Sequence, residues 1–132
     1  MTRAEEALCL AGDALAAVIT WQRAAGSREV CALCAVDQLG EQRILALTNH
    51  ANLPGDFEVS RSEEGVVRAA AARRGWKIVA FLHTHPHHSP EMSPRDARCF
   101  ALDTLPWIIV GTPTAAPQQR AYARPPNPVA AC

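Results

Sequence analysis

The sequence predicts an α/β fold in which a mixed β-sheet is sandwiched by helices. Three observations predict it. Two short, near-continuous apolar runs, residues 77–83 (KIVAFLH) and 106–111 (PWIIVG), read as strands covered on both faces. Helical stretches with strong start signals fall between the strands. A long amphipathic helical stretch opens the chain, and this alternation places helices over both faces of a sheet.

Each element has its own justification. Residues 3–24 read as a helix: Leu8, Ala11, Leu15, Val18 and Gln22 follow 3/4 spacing, and Ala7, Leu10, Ala14, Ala17 and Trp21 widen the stripe. Thr2 and Glu5 fit a capping box, Gly26 is the stop, and Gly12-Asp13 offers a point where the helix can break and restart. Residues 29–36 and 43–48 read as strands joined by a hairpin through Gly40. Asn52, Pro54, Gly55 and Asp56 make 49–56 a loop, with a short strand expected over 57–60. Ser60 and Glu63 form a second capping box for a helix over 61–74, with Val66, Val67 and Ala70 expected inward and Gly75 ending it. The strand 77–83 is expected to be central. A loop over 84–93, a helix over 94–102, the strand 106–111 and an edge strand over 118–123 complete a domain of residues 1–123. The tail 124–132 (RPPNPVAAC) is Pro-rich and expected to be extended.

Composition narrows the class. The chain has 132 residues, 48% apolar and 20% charged, which suits one globular domain. Thirteen basic residues balance thirteen acidic ones, so a nucleic-acid partner is not expected. No apolar run approaches the roughly 18 residues of a membrane span, and no signal peptide is read at the start, so a membrane partner is not expected either. Five cysteines, an odd count, argue for free thiols in a reducing, cytoplasmic setting. Cys31 and Cys34 suggest a metal or redox pair, but their odd offset on a strand points them to opposite faces. His50 reads as a turn residue, Trp21, Trp76 and Trp107 as packing, and Arg73-Arg74 as a cation pair at a helix C-terminus.

The informative segment is His83-Thr84-His85-Pro86, six residues, then Ser93-Pro94-Arg95-Asp96. Histidines at i and i+2 of a strand project from one face, about 6–7 Å apart at Cα, and can converge on one metal. Pro86 ends the strand at once. Asp96 lies one turn into the next helix, within reach of both imidazoles. Two histidines and a carboxylate form a recurring catalytic zinc set with an open fourth position. Zinc lowers the pKa of a bound water to about 7. Ser93 is one loop away, positioned as an oxyanion donor. Ser93-Pro94-Arg95-Asp96 is equally a helix start, with Ser at the N-cap and an acid at N3, and both roles can hold. His87 and His88 read as solvated loop residues. A general base must be a carboxylate, and Glu29, Glu41, Glu58, Glu63 and Glu91 are equally available on the residues alone.

The pattern His-x-His-Pro-x6-Ser-x-x-Asp resembles the signature of the JAMM (MPN+) zinc metallopeptidases, with Thr84 in place of the commoner Ser. Residues 5–112 are similar more widely. Glu29-Val30-Cys31-Ala32 looks like the family's Glu-x-Cys-Gly stretch, with Ala32 for Gly, and NHANLPGDF (49–57) looks like its Asn…Pro…Phe segment. Leu105 to Val110 resembles a stretch of compact bacterial and phage-type members. The resemblance implies a three-layer, cytidine-deaminase-like sandwich. It implies one zinc per chain on His83, His85 and Asp96, with Ser93 stabilising the tetrahedral intermediate and Glu29 as general base. It also implies hydrolysis of the bond after the C-terminus of a ubiquitin-like protein, or trimming of a sulfur-carrier protein, with a Gly-rich tail as substrate. A phage-tail-type peptidase and a non-catalytic MPN binding module are the alternatives. A nucleobase deaminase is not supported, because the Pro-Cys-x-x-Cys ligand pair is absent.

Overall fold

The computed structural model describes residues 1–124; the expected tail from residue 125 onward lies outside them. Helix α1 (Arg3–Leu8) and helix α2 (Gly12–Ala25) precede the hairpin of β1 (Cys31–Val36) and β2 (Gln42–Leu47). Helix α3 (Arg61–Arg73), strand β3 (Lys77–His85), helix α4 (Pro94–Leu102), strand β4 (Trp107–Gly111) and strand β5 (Gln118–Tyr122) follow. The sheet order is β2-β1-β3-β4-β5, so β3 is central. Only β3 and β4 are parallel, which makes the sheet mixed. No helix among the described residues is long and apolar enough to cross a membrane.

Two cores follow from strand alternation. On one face α1 and α2 bury Leu10, Val18 and Ile19 against Ala32, Cys34, Leu82, Ile108 and Val110. On the other face Cys31, Leu33, Leu47, Phe57, Phe81 and Trp107 pack beneath α3 and α4. Cys31 and Cys34 thus face opposite layers, and burial pushes both thiols up to about 12, which leaves them inert.

Six local expectations change. The stretch expected as one helix over 3–24 breaks and restarts at Gly12, the point the sequence offered, because Cys9 and Ala11 are extended. Glutamine amides hold the break: Gln119 accepts from Leu10 N at 2.7 Å and donates to its carbonyl at 3.0 Å, and Gln42 does the same for Ala11 N and Cys9 O at 2.7 and 2.9 Å. Residues 57–60 form no strand; one backbone bond, His50 N to Glu58 O, replaces a ladder, and Asn49 Oδ1 takes Glu58 N. Strand β3 runs two residues past His83, because β4 pairs alongside it as far as His85 and Gly111. Val66 is 67% exposed, whereas Val67 packs against the core as expected and Ala71 is the buried residue of α3, so the inward stripe turns away from Val66. Ser60 caps α3, but the Glu63 carboxylate leaves the capping box to bind Thr48 through its N–H and hydroxyl. Arg124, expected to begin a loose tail, stacks on Phe100 and donates to the carbonyls of Phe100 and Asp103.

Ile108, fully buried at the sheet centre, and Val66 therefore make opposite predictions. Ile108→Ala should cost about 3–4 kcal/mol of stability, and Val66→Ala should stay within about 0.5 kcal/mol of wild type, both by denaturant unfolding.

Candidate active site

The site forms at the C-terminal end of β3, beside the parallel strand β4, where ligands bind in open α/β sheets. His83 and His85 point to the α3/α4 face, as i and i+2 must. Thr84 points to the α2 face. His83 is fully buried, stacked on Phe57 at 4.7 Å between ring centroids and met edge-on by Trp107 at 5.1 Å. Burial holds its pKa below the usual histidine range, so it stands as the neutral imidazole a metal needs.

Asp96 reaches both rings. Its Oδ1 lies 3.1 Å from His83 Nε2 and its Oδ2 lies 2.9 Å from His85 Nε2. The capping box of α4 fixes this carboxylate, with Ser93 N donating to Oδ2 at 2.9 Å and Asp96 N donating to Ser93 Oγ at 3.0 Å. Burial raises the Asp96 pKa, but the hydrogen bonds from both histidines outweigh it and leave it well below the usual carboxylate range. Ser93 Oγ accepts within the cap, so its own hydrogen remains to be donated outward, and Ser93 lines the adjoining cavity.

His85 Nδ1 lies 2.9 Å from the Ser89 carbonyl. A carbonyl only accepts, so Nδ1 carries the hydrogen and the neutral ring offers a lone pair at Nε2. That lone pair faces the Asp96 carboxylate at 2.9 Å. Two acceptors at that distance require a positive centre between them, either a second proton or a metal. Burial lowers the His85 pKa, but Asp96 and the Ser89 carbonyl favour the cation and raise it overall.

Glu29, just before β1, is 4% exposed. Its Oε1 lies 3.9 Å from His83 Nε2 and has no hydrogen-bond partner, although it is buried. Burial pushes its pKa up to about 7; the nearby Asp96 and Asp56 add to this, while His85 and Arg95 oppose it. One ligand atom each from Glu29, His83 and His85 falls within 4.8 Å of the others. Two imidazole nitrogens and two carboxylates with an orphaned oxygen form a donor set that fits zinc.

All five residues singled out in the sequence, Glu29, His83, His85, Ser93 and Asp96, thus come together. His87 and His88 line the cavity wall, and His50 is exposed and apart. His87 sits at φ 65° as the third residue of a turn closed by His88 N and His85 O at 3.2 Å. A cavity of about 430 Å³ adjoins the cluster, lined by Glu29, His85 and Ser93 with Pro54, Pro86 and Met92.

Several positioning residues were not singled out. Thr84 Oγ1 accepts from Val30 N at 3.0 Å and donates to Gln22 Oε1, and Gln22 donates to the carbonyls of Gly26 and Arg28 at 2.9 and 2.8 Å. This network fastens the Glu29 segment to β3. A glutamine inside an apolar helical stripe was its signal. Asn49 donates to the Glu29 and Asp56 carbonyls at 2.9 and 3.1 Å. Arg95 pairs with Asp56 at 2.6 Å and donates to the Phe57 carbonyl at 3.1 Å, which ties the 49–57 loop to α4.

Thr84→Val should leave Val30 N and Gln22 Oε1 unpaired and cost about 2–4 kcal/mol, whereas Thr84→Ser should cost about 1 kcal/mol or less; chemical denaturation separates them. Glu29 gives a pH signature in metal-free protein. Its folded pKa of about 7 exceeds its ordinary 4.5, so its contribution is present below 4.5 and lost as pH rises through 7. Glu29→Gln should therefore match wild type near pH 4.5 and exceed it by up to about 3 kcal/mol at pH 8, read as unfolding midpoints against pH.

Comparison with known proteins agrees with this architecture. No curated protein matches the chain. The solution structure of a protein from Desulfitobacterium hafniense is similar with a TM-score of 0.72 and 21% identity, over 85% of this chain and 80% of that one. The solution structure of a protein from Salinibacter ruber is similar with a TM-score of 0.57 and 21% identity, over 90% of this chain and 83% of that one. Both likenesses concern the fold. Residues 12–124 match the family described as Prok-JAB, prokaryotic homologs of the JAB domain. The chain belongs to this prokaryotic JAB family.

Proposed function

We propose that this chain is a zinc-dependent peptidase or isopeptidase that hydrolyses the bond after the C-terminus of a ubiquitin-like protein, with a sulfur-carrier protein as the alternative substrate. The observation that carries the reading is the convergence of Glu29, His83, His85 and Asp96 at the edge of the 430 Å³ cavity. His83, His85 and Asp96 would hold the metal. When bound, zinc supplies Lewis-acid polarisation of the scissile carbonyl and an acidified water.

The chain's own residues supply the remainder. Glu29 Oε1, buried and unpaired, takes a proton from the attacking water and returns it to the leaving amine. Ser93 donates its hydroxyl hydrogen to the developing oxyanion, while the α4 cap keeps its oxygen in place. The Ser89 carbonyl accepts from His85 Nδ1 and so turns Nε2 toward the Asp96 carboxylate, which orients the ligand face. Pro54, Gly55, Pro86 and Met92 supply an apolar part of the cavity wall, against which a thin, Gly-rich tail would pack.

The test is zinc content by mass spectrometry beside cleavage of a ubiquitin-like protein ending in Gly-Gly and extended by a short peptide. Wild type should hold about one zinc, Asp96→Ala should hold none, and Glu29→Gln should keep zinc while losing about 10²–10⁴-fold in cleavage. Cleavage that survives Glu29→Gln would overturn the catalytic assignment. Tight binding of the tail without cleavage by wild type would favour a binding module.

A further inference from the structure

We infer that Tyr122 and Gly111, on the two strands beyond β3, are positioning residues for His85: they hold the Ser89 carbonyl against Nδ1 so that Nε2 is presented as a ligand. The inference rests on the metal reading of the site, and it extends that reading to residues outside the site.

The arc from Pro86 to Met92 contains no helix or strand. It is fastened to β4 and β5 instead. His87 N donates to Thr112 Oγ1 at 3.1 Å, and Tyr122 Oη donates to the Pro90 carbonyl at 2.8 Å. Glu91 pairs with Arg120 through both oxygens at 2.7 and 2.9 Å, but this pair is exposed and contributes little. Beneath the arc lies Gly111. A Cβ there would come within 2.4 Å of His88 O and 2.7 Å of both Ser89 C and Pro90 N. These are backbone atoms, so only glycine lets the peptide of Ser89 descend this far.

The placement is specific. Gly111 is the register partner of His85 across the parallel β3–β4 ladder. The same ladder position that abuts the ligand thus makes room for the carbonyl that orients it. Tyr122 then anchors the next residue along the arc, Pro90. Without the Ser89 acceptor, the imidazole hydrogen can move to Nε2, and a protonated Nε2 cannot ligate. Partners of this kind are worth about 10–100-fold in metal affinity.

The experiment uses the full chain as wild type, Tyr122→Phe and Gly111→Ala. Zinc affinity is measured by competition with a chromophoric chelator, and the His85 ring by ¹⁵N–¹H correlation in metal-free protein. Tyr122→Phe retains the ring that packs edge-on against Phe100, so its fold is preserved. It should weaken zinc about tenfold or more and broaden or remove the His85 Nδ1–H signal. Gly111→Ala should act in the same direction more strongly; if it fails to fold, Tyr122→Phe decides. Zinc affinity and an Nδ1–H signal both unchanged in Tyr122→Phe would overturn the inference. If wild type takes no zinc, the metal reading falls separately, and the Nδ1–H signal alone decides whether the clamp operates.

Discussion

The carboxylate of Asp96 is the joint on which the site depends. One oxygen meets His83, and the other meets both His85 and the N-cap amide of Ser93. Through it, the first turn of α4 is tied to the end of the central strand. A helix cap is a local device worth about 1 kcal/mol, but here it also sets the position of a charged group in a buried place. The helix cannot shift without moving the carboxylate away from the two imidazoles. Capping and site formation are therefore one arrangement serving two ends.

The charges around this joint are arranged by opposed environments. Glu29 is buried with an unpaired oxygen and is driven toward protonation, while Asp96, given two imidazole partners and a backbone amide, is held ionised. Two carboxylates that both approach His83 Nε2 thus take different protonation states for physical reasons, a pattern associated with functional sites. The aromatic box of Phe57 and Trp107 keeps His83 neutral by excluding water.

Support for the site reaches both faces of the sheet. The Gln22–Thr84 network lies on the α2 side and fixes the segment that bears Glu29. The Tyr122–Gly111 contacts lie on the other side and fix the loop that bears Ser89. The central strand presents ligands on one face and, through the residue between them, grips the opposite layer. Strand alternation makes this division unavoidable.

Much of this was legible in the sequence because the deciding interactions are local. Alternation alone separates Cys31 from Cys34, and the spacing of Ser93 and Asp96 announces the helix α4 that the structure contains. The His-x-His pair at a strand end places two imidazoles on one face without reference to anything distant. The tertiary structure decided what depends on partners far along the chain. On the residues alone Glu29 stood level with four other glutamates and only the family resemblance singled it out; the β1–β3 pairing, Cys31 opposite His83, is what brings it to the histidines. The break in the first helix waited on Gln42 and Gln119, and the inward stripe of α3 on the sheet it packs against. Gly111 reads in sequence as a strand end, and only the backbone of residues 88–90 lying against it shows why a side chain there is excluded. Caps and periodicities act within a few residues, so sequence records them; close approach between distant backbones is set by packing, and only coordinates reveal it.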